Sequence, residues 1–272
     1  MNVFLTGGTG FIGSYIAMEL VRSGHDISVL ARNRNKVPEL LKIPRIEIIE
    51  GDLGDRRILE SMIAGKDACI HVALKYTKQT GWEVLSDDTL PTVYLSGIAA
   101  QAKVKHFIYT SSTAVNDNVY MIEQNKIDGS IKSADVTSKQ HPTTFYGATK
   151  AACENYLLAQ SYQSAMRVNI VRPGYTFGNP VVPGGSTEGD TRFHEMVKNA
   201  LAQKPVHVVK NDGTQFIWAG DLAKLYLKIL ESDVNRKTYF GLAQRSVSWE
   251  TIAKEAIKKC GSKSAVEVED RG

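Results

Sequence analysis

Three side-chain types that can move a proton at an alcohol or carbonyl oxygen occur in the first two-thirds of this chain. Thr110-Ser111-Ser112-Thr113 closes a short apolar segment, and Tyr146 and Lys150 follow four residues apart. On a helix, positions i and i+4 share one face. An ammonium beside a phenol favours phenolate and lowers its pKa from about 10 towards working pH. A phenol so tuned is a general acid/base, and a nearby serine hydroxyl can hold the reacting oxygen. Taken singly, Tyr146 reads as a buried helix aromatic and Lys150 as a surface charge.

A second constellation lies at the N-terminus. Val3 to Thr6 runs into Thr6-Gly7-Gly8-Thr9-Gly10-Phe11-Ile12-Gly13, and helical spacing follows. In such a loop Gly7 permits the tight turn. Gly10 lets backbone approach a pyrophosphate, and Gly13 lets the helix pack close to the strand. The helix N-terminus adds free N–H groups and a positive dipole end. Strand before and helix after are the context that makes the triplet a dinucleotide site rather than a surface turn. At the end of the second strand an acid would bind the ribose 2′-OH of NAD. Leu30-Ala31-Arg32-Asn33-Arg34 has none there. Arg32, Arg34 and Lys36 can instead meet a 2′-phosphate, which favours NADP, with NAD the alternative. Asp52, in Gly51-Asp52-Leu53, can accept from the adenine amino group or cap a helix.

These residues need a framework, and the rest of the sequence supplies one. Apolar strand-like runs at Val3–Thr6, Ile27–Leu30, Ile46–Ile49, Ala68–Val72, His106–Thr110 and Val168–Val171 alternate with helical segments. That alternation predicts an α/β fold, a doubly wound parallel sheet covered on both faces. The expected organisation is a dinucleotide-binding domain over 1–173 and a small α/β substrate cap over 174–272, with some elements returning to the first domain. Residues 178–190 read as a loop, and helices are expected near 191–203, 220–231 and 248–260. Residues 75–89 read as a loop long enough for a lid, holding Tyr76, Gln79 and Trp82. Val266 and Val268 alternate as in a final strand. The chain either carries a small cap or is truncated.

Composition narrows the class. The chain has 272 residues, 43% hydrophobic and 23% charged, which fits a globular protein. Its net charge of +4 is too small to imply a nucleic-acid partner. No apolar run approaches a membrane span and no leader is evident, so a cytoplasmic location is expected. Cys69, Cys153 and Cys260 form no metal or disulfide spacing and read as reduced thiols. No metal is expected. His71 ends a buried strand and reads as a packed, backbone-bonding residue.

Together these motifs resemble the extended short-chain dehydrogenase/reductase family, also called the NAD-dependent epimerase/dehydratase family. The likeness spans roughly residues 1–260. It includes Gly51-Asp52-Leu53, His71-Val72-Ala73, Thr110–Val115, Tyr146–Lys150, Arg172-Pro173-Gly174 and Phe216–Ala223. The resemblance implies a Rossmann-type fold and a catalytic Ser112, with Ser111 as its neighbour. It implies Tyr146 as acid/base and Lys150 as the residue that lowers its pKa and holds the nicotinamide ribose. Phe11 and Ile12 would cover the pyrophosphate. Leu53 would contact the cofactor, Val72, Ala73 and Leu74 would line its ribose, and Pro173 and Gly174 would pack near the nicotinamide. Asp88 stands where the family often has Asn. A homodimer through the helices near 90–102 and 146–160 is also implied.

Within the family three readings compete. NADP-dependent reduction of a carbonyl, or oxidation of an alcohol, fits the Leu30-Ala31-Arg32 ending, as in the dihydroflavonol-reductase-like branch. Nucleotide-sugar epimerisation with recycled cofactor is the alternative. Against it, Gln215 stands where that branch has a diphosphate-binding Arg, although Arg192 or Lys210 could substitute. Thr113 and Ala114 stand where dehydratases need acids. A non-catalytic NADP-binding sensor ranks last, because Tyr146 and Lys150 are both kept. Trp82 and His194 are further candidates for substrate contact, and a small-molecule substrate is expected throughout.

Overall fold

The computed structural model describes residues 1–75, 80–116, 138–186 and 189–271. Seven parallel strands form the central sheet. They are β1 (Asn2–Thr6), β2 (Asp26–Ala31), β3 (Ile46–Glu50), β4 (Ala68–His71), β5 (His106–Thr110), β6 (Arg167–Pro173) and β11 (Lys237–Gly241). Their spatial order is β11-β6-β5-β4-β1-β2-β3. The first six strands have the 3-2-1-4-5-6 order of a Rossmann sheet, which reverses between β1 and β4. Ligands of such sheets bind at the carboxyl edge beside that reversal.

Alternation along the strands explains why both faces are covered. Val3 and Leu5 of β1 enter one apolar cluster, and Phe4 between them enters the other. The first face is covered by α1 (Phe11–Arg22) and α8 (Ala219–Leu230), which bring Ile16, Leu20, Tyr226 and Ile229. The second is covered by α3 (Arg56–Ile63), α5 (Leu90–Gln101) and α6 (Phe145–Gln163). These bring Leu59, Ile63, Leu95, Ile98 and Leu157. Each such fully buried side chain contributes about 1.5–3 kcal/mol by leaving water.

Residues after 173 build a cap and also return to the main layer. α8 packs on α1, and β11 pairs with β6 from Lys237↔Asn169 to Gly241↔Pro173. The cap has β7 (Tyr175–Phe177), α7 (Arg192–Leu201), β8 (Val206–Val209), β9 (Gly213–Thr214) and β10 (Phe216–Trp218). It ends with β12 (Val247–Ser248), α9 (Trp249–Lys259) and β13 (Val266–Glu269). The terminal strand pairs with β8 in parallel. A small core of Met196, Phe216 and Trp249, with Tyr175 and Phe193 against it, holds the cap together.

The 75–89 stretch differs from the loop expected. Residues 81–89 are helical, as α4 (Gly81–Val84) and a π-helical turn (Leu85–Thr89) leading into α5. The reason is a capping box: Thr80 Oγ1 accepts from Glu83 N, and Glu83 Oε2 accepts from Thr80 N at 2.7 Å. Tyr76 and Gln79 lie outside the described residues.

Candidate active site

α6 begins at the Thr144 N-cap, whose Oγ1 accepts from Gly147 N at 3.0 Å. This start puts Tyr146 in the first turn and Lys150 one turn later. A Cβ on Gly147 would lie 2.4 Å from Ala114 O. Only glycine lets the helix sit that close to the 3₁₀ turn Thr113–Asn116 that follows Ser112. The Ser112 turn and the Tyr146 helix are therefore in direct backbone contact.

Ser112 Oγ accepts from Ala114 N at 3.1 Å, which leaves its O–H to donate outward. Ser111 Oγ is buried and has no hydrogen-bond partner. Lys150 is 4% exposed, and its Nζ donates to Thr110 O at 2.8 Å. The ammonium stands 5.0 Å from the Tyr109 ring centre and 5.8 Å from that of Tyr146. Burial pulls its pKa down to about 8, against opposing pulls from Cys153, Asp88 and Glu154. A cavity of about 300 Å³ is walled by Phe11, Ile12, Ser111, Ser112, Tyr146 and Lys150, with Val72, Leu74, Pro173, Gly174 and Thr176. Most of the residues assigned to reaction and nicotinamide thus share one wall.

The cofactor end is a second cavity of about 460 Å³ at the β1–β4 reversal. Gly7, Gly10, Gly13, Asp52, Leu53 and Ala73 line it, as do Phe11, Ile12, Val72 and Leu74, shared with the first cavity. A Cβ on Gly13 would fall 2.1 Å from Gly7 O, so the loop can wrap the N-terminus of α1 only with glycine there. This glycine cradle and the cavity beside it fit a dinucleotide. Arg32 and Lys36 line the cavity; Arg34 does not, and its backbone N binds Glu50 instead. Asp52 Oδ1 accepts from Gly54 N at 2.9 Å, and it is Asp55 that caps α3.

Other candidates lie apart from both cavities. Trp82 is 71% exposed, and His194 is exposed on α7. Arg192 is bound by Asp190 at 2.6 Å and Asp212 at 3.4 Å and lies 4.0 Å over Trp249. Lys75 and Asp87 were not singled out from sequence, yet both line the cofactor cavity and pair at 2.5 Å. Lys75 N also donates to the buried Asp88 at 2.7 Å. A lysine just past the carboxyl end of β4 could have been found by the same edge rule that selected Arg32.

His71 is packed as expected, but its partners are hydroxyls rather than backbone. Thr6 Oγ1 accepts from Val72 N and Ala73 N at 3.2 Å, so its proton goes to His71 Nδ1 at 2.6 Å. His71 Nε2–H then donates to Thr92 Oγ1 at 2.8 Å, and Thr92 donates to Asp88 O. Burial, then the Lys150 charge, hold the ring's pKa down to about 3, so it stays neutral. The chain of bonds anchors the 72–73 wall of the cofactor cavity. His71→Leu should cost about 1–3 kcal/mol, because two buried hydroxyls lose their partner. Urea unfolding at pH 7 checks this, and an unchanged midpoint would remove His71 from that role.

Among the described residues no group of histidine, cysteine and acidic side chains could hold a metal, and no helix is long and apolar enough to cross a membrane. Fold and site together define a nicotinamide-dependent enzyme of the oxidoreductase and epimerase kind. The chain belongs to the NAD dependent epimerase/dehydratase family, whose pattern matches residues 3–240.

An uncharacterized protein of Saccharomyces cerevisiae is 26% identical over 93% of this chain and 78% of its own. A 3 beta-hydroxysteroid dehydrogenase/Delta 5-->4-isomerase of Mycobacterium tuberculosis is 28% identical over 65% of this chain and 48% of its own. The chain thus spans about half the length of that relative. A UDP-glucuronic acid 4-epimerase from Bacillus cereus, solved with NAD, superimposes with a TM-score of 0.80 at 18% identity, over 99% of this chain and 87% of that one. The UDP-glucose 4-epimerase of Thermotoga maritima gives 0.79 at 18% identity over 99% and 86%. At that identity the likeness is one of fold.

Proposed function

We propose that this chain is an NADP-dependent oxidoreductase that moves a hydride between the nicotinamide and a carbonyl or secondary alcohol, with Tyr146 as acid/base. The observation that carries this reading is the shared wall of Ser112, Tyr146 and Lys150 beside Pro173 and Gly174. Ser112, its Oγ already accepting from Ala114 N, donates to the substrate oxygen and orients it. Tyr146 gives or takes the proton at that oxygen. Lys150 supplies the positive charge that favours the phenolate and would hold a ribose hydroxyl of the bound cofactor. When bound, the nicotinamide supplies or takes the hydride. Relatives named as dehydrogenases favour the same chemistry.

The NADP preference rests on Arg32 and Lys36 in the cavity wall. Arg32→Ala should cut the NADPH-over-NADH affinity ratio at least about tenfold, the loss of one charge-assisted contact of about 1.5–3 kcal/mol. Fluorescence titration of both nucleotides measures it, and an unchanged ratio would sink the assignment. The broader test is the cofactor state of the purified protein. Exchangeable NADPH, with reduction of neutral carbonyls, is the result expected. NAD retained through purification would favour the nucleotide-sugar epimerase alternative, whose fold this chain shares along its length. Held Arg192 and the Gln215 side chain, spent on Ala243 O at 2.8 Å, weigh against a diphosphate there. A homodimer is proposed through α5 and α6, where Leu90 and Tyr156 are exposed.

A further inference from the structure

Behind the reactive wall lies a buried polar network that the proposed chemistry does not use. Glu154 stands one turn beyond Lys150 on α6, so Tyr146, Lys150 and Glu154 follow at i, i+4 and i+8. Its carboxylate accepts from Arg172 Nε at 2.8 Å and Arg172 Nη2 at 2.6 Å, a bidentate fork, and from Gln140 Nε2. The pair is almost wholly buried, at 7% and 3% side-chain exposure. Arg172 also donates Nη1 to Asn116 Oδ1 at 3.1 Å. The Asn116 amide in turn donates to Ser138 O at 3.0 Å and Lys139 O at 2.7 Å. His141 N reaches Val115 O at 2.7 Å.

Every segment that carries a reactive group passes through this fork. Arg172 sits on β6 directly before Pro173 and Gly174, which wall the nicotinamide end. Asn116 ends the 3₁₀ turn that begins after Ser112. Glu154 belongs to the Tyr146 helix, and residues 138–141 lead into that helix. An arginine can bind both partners at once, through three acceptor oxygens, because its five donors lie in one rigid plane. A lysine offers a point charge and cannot span them.

We propose that Arg172 is a positioning residue that fixes the Tyr146 helix and the Ser112 turn against the nicotinamide wall of β6, an inference that rests on the acid/base reading of Tyr146. The fork is worth little as a source of stability. Replacing a buried ion pair by apolar residues of similar volume is often neutral or stabilising. Its value lies in geometry, since a misplacement of about 1 Å can cost about a hundredfold in rate.

The test separates position from stability through the Tyr146 phenolate, read at 295 nm as the difference between each protein and its Tyr146→Phe counterpart. Without cofactor, the Lys150 ammonium, 5.8 Å from the Tyr146 ring centre, bears on that midpoint. With NADP⁺ bound, the positive nicotinamide should lower that midpoint further, by an amount that depends on the spacing of α6 from β6. The double variant Arg172→Met/Glu154→Leu leaves the buried Asn116 Oδ1 without this donor, so its thermal midpoint should drop modestly, and its NADP⁺-induced shift is taken from its own cofactor-free phenolate midpoint. The variant should lose at least half of the NADP⁺-induced shift. Arg172→Lys, which keeps the charge, should lose that shift as well and serves if the double variant does not fold. A shift as large in these variants as in the parent overturns the positioning role. No NADP⁺-induced shift in the parent overturns the acid/base reading itself, and the inference with it.

Discussion

Tyr146→Phe should lower turnover of the carbonyl or alcohol substrate by about 10²–10⁴-fold, the usual share of one general acid/base. Its NADPH affinity should move by less than about threefold, because the ring is kept and no charge is removed. The loss should fall on turnover rather than on KM. Ser112, with its oxygen fixed by Ala114 N, still orients the substrate oxygen in the variant. The cavity shape is also kept, since Phe differs from Tyr by one oxygen on a wall shared with Phe11, Ile12 and Pro173. Steady-state kinetics on parent and variant, with cofactor binding measured separately, check this. Turnover within a factor of about three of the parent would remove Tyr146 from the chemistry and leave the acid/base role to another group.

Much of this site was legible because its parts obey local rules. The glycine loop needs a strand before and a helix after, and both are written in the apolar pattern of residues 3–22. Tyr146 and Lys150 follow the helix repeat, and Thr110 to Ser112 sit at a strand's carboxyl end, where such sheets bind ligands. Alternation implied a doubly wound parallel sheet but not the order of its strands. Return of β11 to the edge beside β6 was foreseen only in outline. Lys237–Gly241 is a mostly half-buried edge strand without the continuous apolar run that marked β1 to β6.

What escaped the sequence was pairwise and distant. Arg172, Glu154, Asn116 and Gln140 come from four segments, and nothing local in any of them announces the fork. The Thr6–His71–Thr92 chain is similar: a buried histidine was visible, but its hydroxyl partners lie 65 and 21 residues away. Arg34 shows the opposite failure. It has the right type two residues past Arg32, yet the chain turns there and its N–H goes to Glu50. Capping of α4 by Thr80 and Glu83 was readable from Thr-x-x-Glu, but residues 75–89 read as a loop long enough to be a lid.

Lys150→Met carries the other large expected effect, and it runs in two directions. Turnover should fall steeply, because the positive charge beside Tyr146 is gone. Stability should rise with pH, as for a carboxylate whose pKa is lowered by folding, but in an alkaline window. The native ammonium has its pKa pulled down to about 8 by burial, whereas the unfolded chain holds lysine near 10.4. Between those values the unfolded state binds more protons, so parent stability rises with pH. Below pH 8 both states are charged and the native state bears the full cost of burying the cation, about 3 kcal/mol at 1.36 kcal/mol per pKa unit. Methionine bears none of it. The lost bond to Thr110 O offsets part of the gain, but that loss does not vary with pH. The stability of the variant minus that of the parent should therefore fall by up to about 3 kcal/mol between pH 7 and pH 10.5. Urea unfolding at the two pH values gives the difference directly. A difference that stays constant would mean that Lys150 is not held as a strained cation. A falling one would show that the fold gives up stability to keep a positive charge beside Tyr146, the pattern expected of a group with chemical work to do.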